Sequence, residues 1–329
     1  MKQIGQEIEP APHGSRGTAG SRAGERVIRG SSPRESRGTA VIVATRGRPA
    51  IVRNLVQQLA YQSEPPEHVF VIASKADDIV DVDGPADNLT VVVGRTGSAL
   101  QRNDGLTLAG GGFSYIVFFD DDFVPSRYWL EHMSELFEAR PDIAGLTGAV
   151  LADGTTTAGI QPEEARALTE ERDSRPAYAG IIRESRDYGR NAGCNMAFRY
   201  SAIRNETFDE RLPLYAWLED ADFRGRVERH GRVVHSDALW GVHLGHKQGR
   251  SRGVQLGYSQ IANAVYLTRK GTVPGRYLAK LAAKNLISNS VRSLRPEQFV
   301  DRRGRLLGNL IAISDFLRGR IAPERVLSL

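Results

Sequence analysis

The apolar residues of the chain follow two alternating patterns between residues 39 and 151. Short continuous apolar runs, which are typical of strands buried on both faces, alternate with segments whose apolar residues recur at helical spacing. The runs predict strands at 39–45, 68–74, 89–94, 115–119 and 143–151. The helical spacing predicts helices at 50–62, 98–109 and 126–139, with Ser98 and Ser126 as N-caps. The alternation predicts an α/β domain with a mostly parallel sheet and helices on both faces.

The second half of the chain has a less regular pattern. Short strand-like runs lead to one polar helix, and the chain after Gly253 is almost continuously helical in pattern. We predict strands at 178–183, 193–199 and 232–236, and helices at 217–231, 277–291 and 305–317. Gly231 is expected to be the C-cap of the first of these helices.

Residues 1–37 are rich in Gly, Ser, Arg, Pro and Glu and hold few large apolar residues. Such a segment buries too little surface to offset its ordering entropy, so we expect a disordered basic arm. We expect one domain over residues 38–270, divided near residue 150, and a helical extension over 271–329.

Composition limits the classes of partner. The 329 residues are 40% hydrophobic and carry a net charge of +5, which favours anionic partners such as a nucleotide or a membrane surface. The arginine and aromatic interleaving of RNA-binding proteins is absent from the sequence, so we expect no nucleic-acid partner. A single cysteine, Cys194, favours a reducing, cytoplasmic compartment. We find no signal-type or membrane-spanning run, so we expect a soluble or membrane-peripheral protein.

Polar residues follow the predicted parallel strands at their carboxyl ends. These residues include Thr45 and Arg46, the stretch 74–78 with Asp77 and Asp78, and an aspartate triplet at 120–122. Ligands of open α/β sheets bind outside the carboxyl ends of the strands. The sequence therefore predicts a polar binding site at this edge of the sheet.

The aspartate triplet directly follows the apolar strand "YIVFF". Alternate residues of an extended chain face the same side, so Asp120 and Asp122 are expected to point together while Asp121 points elsewhere. Clustered carboxylates supply hard oxygen ligands, which favour Mg²⁺ or Mn²⁺. Magnesium sites often include substrate phosphates as well. We predict a metal-bridged phosphate site; the alternative is a solvated acidic turn.

Three further segments supply candidate chemistry. The helix that contains Glu219, Asp220 and Asp222 offers a general base, for which we favour Asp220, although carboxylates also suit a helix N-terminus. His243 is a candidate extra metal ligand or a structural histidine. Arg102 is expected to pair with a phosphate or with an aspartate of the triplet. The alternative is that Arg102 lies on a solvated helix face without a functional role.

Five segments, in this order, resemble the motifs of the inverting GT-A fold glycosyltransferases of family 2. They are "VIVATRGRP", "GSALQRNDGL", "IVFFDDDFVP", "GRNAGCNMAFR" and "LEDADFRGRVERHG". The resemblance covers residues 39–270 and implies a GT-A (Rossmann-like, nucleotide-diphospho-sugar transferase) fold. It implies a nucleotide-binding half at 38–150 and an acceptor-binding half at 151–270.

The resemblance also implies a role for each matching position. Thr45, Arg46 and one of Asp77 and Asp78 would hold the nucleotide base and ribose. Arg102 and Asn103, with Asp120 and Asp121, would lie on the donor side. Asp122, Asp120 and His243 would bind Mn²⁺ or Mg²⁺. Asp220 would deprotonate the acceptor hydroxyl, and Glu219 would position that hydroxyl or the base.

The expected reaction transfers a sugar from a nucleotide sugar, with a UDP-sugar as the favoured donor, to a saccharide or lipid-linked saccharide during cell-surface polysaccharide synthesis. The last helices pack on their own domain in the interpretation we favour; the alternative is peripheral contact with the inner face of the cytoplasmic membrane. Two other function classes stay open. The motif "FFDDDFV" also fits haloacid-dehalogenase-like Mg-dependent phosphatases, and a non-catalytic nucleotide- or sugar-binding protein would share the basic charge.

Overall fold

A computed structural model describes residues 38–83, 88–175, 182–183, 193–248, 251–295 and 297–329. The predicted disordered arm at 1–37 lies outside the described residues. So do residues 178–181 of one predicted strand and residues 189–192, which begin the fourth motif.

Four parallel strands form one half of the sheet. Their spatial order is β3-β2-β1-β4, which are Leu89–Val93, His68–Ala73, Thr39–Thr45 and Tyr115–Asp120. In this register Thr45 lies beside Ala73, and Ala44 lies beside Asp120. The carboxyl ends of the strands therefore lie at one edge, as the alternation of apolar patterns predicts.

The sheet continues beyond β4 with mixed pairing. The remaining strands are β5 (Phe123–Pro125), β6 (Ile143–Asp153), β7 (Ile182–Arg183), β8 (Asn195–Arg199) and β9 (Arg232–His243). Strand β8 runs antiparallel to β4 and β6, whereas β6 and β9 are parallel. Strand β9 extends to His243, beyond the predicted end at Ser236, because the buried residues around Leu239 and Trp240 continue the ladder.

The helices of the described residues are α1 (Pro49–Ala60), α2 (Ser98–Ala109), α3 (Trp129–Ala139), α4 (Pro162–Asp173), α5 (Tyr200–Ile203), α6 (Glu219–Val227), α7 (Gly253–Lys270), α8 (Gly275–Ser293) and α9 (Arg302–Leu317). Alternate residues of β1 face two separate cores. Ile42 packs with Phe118 and Phe198, whereas Val43 packs with Trp129 and Phe137. Helices therefore cover both faces of the sheet.

Three predicted caps are wrong. Gly97 is the N-cap of α2, and Ser98 lies inside the helix with its hydroxyl turned to Glu219. Helix α3 begins at Trp129, and the Ser126 hydroxyl donates instead to a carboxylate of α4. Helix α6 ends at Val227 and its C-cap is Glu228, so Gly231 is not the C-cap.

Helices α7, α8 and α9 pack on one another at the C-terminal end of the chain. Buried amides connect them: Asn289 donates to Gln260 and to Asn309, each at 2.9 Å. Among the helices of the described residues, none combines the length and the apolar character that a bilayer crossing requires.

Candidate active site

Asp120, Asp122 and His243 form a cluster at the carboxyl end of β4. Their side-chain ligand atoms all lie within 4.8 Å of one another. Strand β4 ends at Asp120, and the antiparallel pairing of β5 with β9 places Phe123 opposite His243. Two strand pairings thus bring the histidine to carboxylates that precede it by more than a hundred residues. Two carboxylates and one imidazole suit Mn²⁺, which accepts nitrogen more readily than Mg²⁺ does.

Asp122 is the most firmly held carboxylate of the cluster. Its oxygens lie 3.1 Å from His243 Nε2 and accept a 2.8 Å hydrogen bond from the backbone N–H of His246. Burial would raise the pKa of Asp122, but the hydrogen bond and charge of His243 outweigh it and lower that pKa. The carboxylate is therefore ionised at neutral pH, as a metal ligand must be.

His243 lies between two carboxylates. Its Nδ1 is 3.2 Å from Asp153 Oδ1, and its Nε2 faces Asp122. Burial alone would lower the pKa of His243, yet the bonds to Asp122 and Asp153 raise it well above its ordinary value. Asp153 is positioned to fix the ring orientation, which is the usual function of a carboxylate behind a metal-binding histidine.

Asp121 points away from the cluster, toward the turn after β1. It accepts a 2.7 Å hydrogen bond from Thr45 Oγ1 and a 2.6 Å ion-paired hydrogen bond from Arg48 Nη1. Burial raises the pKa of Asp121 to about 6, even though the charge of Arg48 opposes this shift. Arg48 also lies 3.2 Å from Asp122 and donates to the carbonyl of Gln248. It is a site residue that the sequence did not identify, although it stands in the "TRGRP" turn.

The aspartates proposed to hold the nucleotide differ from each other in their surroundings. Asp78 is fully buried and accepts hydrogen bonds from the backbone N–H groups of Gly47, at 2.8 Å, and Lys75, at 3.2 Å. It therefore fixes the turn that follows β1. Asp77 is exposed and pairs with Lys75 at 3.1 Å, and Arg46 is also exposed at this edge.

Arg102 connects the two acidic segments. Its buried guanidinium donates to Glu219 at 2.5 Å, to Asp120 at 2.9 Å and to the carbonyl of Gly193 at 3.0 Å. The contact with Asp120 agrees with the expected pairing of Arg102 with an aspartate of the triplet. Asn103 is turned the other way, where it bonds both backbone groups of Phe208.

Glu219 is buried at the start of α6. Its Oε1 accepts from Ser98 at 2.6 Å and from Arg102, whereas its buried Oε2 has no hydrogen-bond partner in the described part of the chain. Burial raises the pKa of Glu219 to about 7, although Arg102 and Ser98 oppose the shift.

Asp220 lies beside Glu219 and is only partly buried. Its Oδ1 accepts a 2.8 Å hydrogen bond from the N–H of Ala221, and a Cβ added to Gly193 would lie 3.2 Å from its Oδ2. Burial raises the pKa of Asp220, which suits a general base. Asp222, in contrast, is fully buried and bonds Lys270 and Thr272, so its contacts are structural.

The segment before α6 has an unusual backbone. Leu214, Ala216 and Leu218 have φ values of +61°, +51° and +73°, in the left-handed region that residues other than glycine rarely adopt. Each costs about 1–2 kcal/mol. Backbone hydrogen bonds hold the segment, including one of 2.9 Å from the N–H of Ser98 to the carbonyl of Leu214. Strain of this kind is concentrated at functional sites.

The sequence model of the family described as glycosyl transferase family 2 matches residues 40–206, which is half of the chain. The chain belongs to this family. The match contains the first four of the five motifs described above. The protein is a glycosyltransferase, and the haloacid-dehalogenase-like and non-catalytic alternatives are set aside.

Solved structures support the same fold. A mannosyltransferase from Pyrobaculum calidifontis, in complex with GDP-Man and Mn²⁺, is 15% identical with a TM-score of 0.53, and the match covers 85% of this chain and 88% of that one. Residues 1–349 of S. aureus TarS, in complex with UDP-GlcNAc, are 16% identical with a TM-score of 0.53, and the match covers 89% and 83%. These similarities confirm the GT-A fold. A search among curated proteins found no match.

Proposed function

We propose that this protein is a metal-dependent, inverting glycosyltransferase that uses a nucleotide-diphospho-sugar. The observation that carries the proposal is the placement of Arg102, which touches both Asp120 of the metal cluster and Glu219 beside Asp220. A candidate metal site and a candidate base thus lie on either side of one guanidinium. A donor diphosphate at the metal site and an acceptor hydroxyl at Asp220 would therefore meet beside Arg102.

The proposed chemistry divides between the two sides. A divalent cation, Mn²⁺ or Mg²⁺, held by Asp120, Asp122 and His243 would neutralise charge on the leaving nucleoside diphosphate. Asp220 would take the proton of the acceptor hydroxyl as its oxygen attacks the anomeric carbon. A single displacement inverts that carbon. Glu219 would orient the hydroxyl or the base, and Thr45 and Asp121 would lie at the nucleoside end.

The donor we propose is a UDP-sugar. The two similar structures hold GDP-Man and UDP-GlcNAc, which supports a nucleotide sugar as the donor. The identity of its nucleobase is the question to test. The proposed acceptor is a saccharide or lipid-linked saccharide of the cell surface.

The C-terminal helices support a proposed location on the inner face of the cytoplasmic membrane. In and just after α8 the apolar side chains of Ile287, Val291 and Leu294 are 63%, 62% and 81% exposed, at spacings of four and three residues. Lys280 and Lys284 precede them on the same helix and are also exposed. Exposed basic and apolar residues on one helix are typical of helices that lie on anionic bilayers.

A thermal-shift screen tests the proposed activity. UDP, GDP and dTDP, and their sugars, are compared with and without Mn²⁺, using Asp220→Asn beside the wild type. We expect one nucleotide to stabilise the protein only when Mn²⁺ is present, and Asp220→Asn to keep this shift while losing sugar transfer. Normal transfer by Asp220→Asn would place the base elsewhere.

A further inference from the structure

Two aromatic side chains stand directly before the proposed base. Tyr215 is 53% exposed, Trp217 is partly exposed, and their rings lie 6.3 Å apart with an interplanar angle of 28°. An exposed aromatic ring beside a second, partly exposed ring forms a surface in the candidate site on which a ligand can pack. We infer that Tyr215 and Trp217 form an aromatic platform that stacks against a pyranose ring of the acceptor; this inference rests on the proposed transferase function.

The backbone of the segment alternates core-facing side chains with more exposed ones. The left-handed residues alternate with the aromatic ones, and Ala216 and Leu218 point into the core, where they are 2% and 8% exposed. The carbonyl of Trp217 accepts a 2.8 Å hydrogen bond from Asn263 of α7. The alternation therefore buries Ala216 and Leu218. It leaves the Tyr215 ring outward and keeps Trp217 partly exposed at the edge of the core.

The platform borders the reacting groups. The N–H of Glu219 donates to the carbonyl of Ala216 at 2.8 Å, so the segment leads into the first turn of α6 without a gap. The Tyr215 phenol lies close enough to Asp120 and Asp220 for their charges to act on it. A sugar on this platform would present a hydroxyl to Asp220.

The chemistry of the surface indicates the class of ligand. A pyranose has a rigid face of C–H groups that fits an aromatic ring, whereas an acyclic polyol has no fixed apolar face. The neighbouring carboxylates can accept hydrogen bonds from sugar hydroxyls. A neutral cyclic sugar therefore fits this surface better than an anionic or acyclic ligand.

Tryptophan fluorescence can report on this platform. The chain has three tryptophans, and Trp129 and Trp240 are 0% and 3% exposed, so acrylamide quenching reports mainly on Trp217. The probes are methyl β-D-glucopyranoside, methyl α-D-mannopyranoside and cellobiose, with ribitol as the acyclic comparison. Trp217→Phe, which should lose the quenchable signal, verifies the assignment.

We expect at least one pyranoside to protect Trp217 from quenching, and ribitol to give no protection. Tyr215→Ala should weaken saccharide binding about two- to tenfold, and Tyr215→Phe should retain it. Tyr61→Ala, which removes a 78% exposed tyrosine next to α1, is the matched control and should change nothing.

The platform is refuted if no pyranoside protects Trp217, if ribitol protects equally, or if Tyr215→Ala binds saccharide as the wild type does. The nucleotide and Mn²⁺ thermal shift is recorded on the same samples. A retained nucleotide shift with absent saccharide protection overturns the platform alone, whereas loss of the nucleotide shift in the wild type overturns the transferase proposal.

Discussion

Replacement of Arg102 by methionine tests the electrostatic design of the site. The guanidinium is 4% exposed and contacts Asp120 and Glu219, while its carbon lies 5.3 Å from the ring centroid of Phe208. Methionine preserves much of the length and the apolar contact but removes the charge. Asp120 and Glu219 then lose their common cation.

The expected cost is large because the lost partner is buried. Breaking a buried ion pair from one side costs about 3–5 kcal/mol. Burial already raises the pKa of Glu219 to about 7, and loss of Arg102 should raise it further. A carboxyl whose folded-state pKa is raised destabilises the folded state above that pKa, and protonation relieves the cost as pH falls. The destabilisation by Arg102→Met should therefore be greatest above about pH 7 and smaller near pH 5.

Urea unfolding followed by circular dichroism at both pH values measures this effect. Arg95→Met is the control, because Arg95 also pairs with two carboxylates but its side chain is 50% exposed, so its loss should cost at most about 1 kcal/mol. A loss of stability by Arg102→Met no larger than that of the control, or one that is independent of pH, would refute the reasoning.

Three other results are expected. Protons compete with a metal for His243, whose pKa is raised, so Mn²⁺ affinity measured by calorimetry should fall by up to about tenfold per unit of decreasing pH, and His243→Gln should flatten this slope. The wild type should float with phosphatidylglycerol vesicles more than with phosphatidylcholine vesicles, and Val291→Glu should reduce this difference. Equal flotation by the wild type and the variant would contradict membrane binding by α8. Gly225→Ala should lower the free energy of unfolding by about 1–3 kcal/mol, because the new Cβ would meet the carbonyl of Thr272 at 2.0 Å; an unchanged urea midpoint would exclude this clash.

The parallel half of the fold could be predicted because three of its four strands, β1, β2 and β4, are almost wholly buried, whereas β3 is a partly exposed edge strand. A continuous apolar run such as "AVIVA", bounded by polar turns, is typical of a strand covered on both faces, and the strands lie within a residue or two of their predicted limits. Helix α4 was missed because its sequence "PEEARALTEERD" is almost entirely polar. It buries little beyond Ala165 and Thr169, so its apolar periodicity is too weak to detect.

The two N-cap predictions were wrong for a different reason. Ser98 and Ser126 have the residue type of an N-cap, but their hydroxyls bond Glu219 and Asp173, which are distant in sequence. Local propensity cannot include a partner that only the tertiary fold supplies. The same limit applies to Arg48, whose contacts with Asp121 and Asp122 depend on the pairing of β1 with β4.

The predicted site residues were brought together where strand alternation determines the side-chain direction. Asp120 and Asp122 face His243, while the residue between them faces Thr45. The alternation could not show that Asp78 and Asn103 bond backbone groups, because those partners come from other loops. Their predicted roles in donor binding stay predictions.

Calorimetric titration of UDP, GDP and dTDP, with and without Mn²⁺, tests the central claim most directly. The variants are Asp122→Ala, which removes the most firmly held carboxylate of the cluster, and Glu163→Ala, which removes a 75% exposed carboxylate of α4 outside the cluster. We predict that one nucleotide binds the wild type and Glu163→Ala only with Mn²⁺, and that Asp122→Ala weakens this binding about tenfold or more. Equal binding without the metal, or binding by Asp122→Ala at the strength of the wild type, would contradict the proposed metal-dependent donor site.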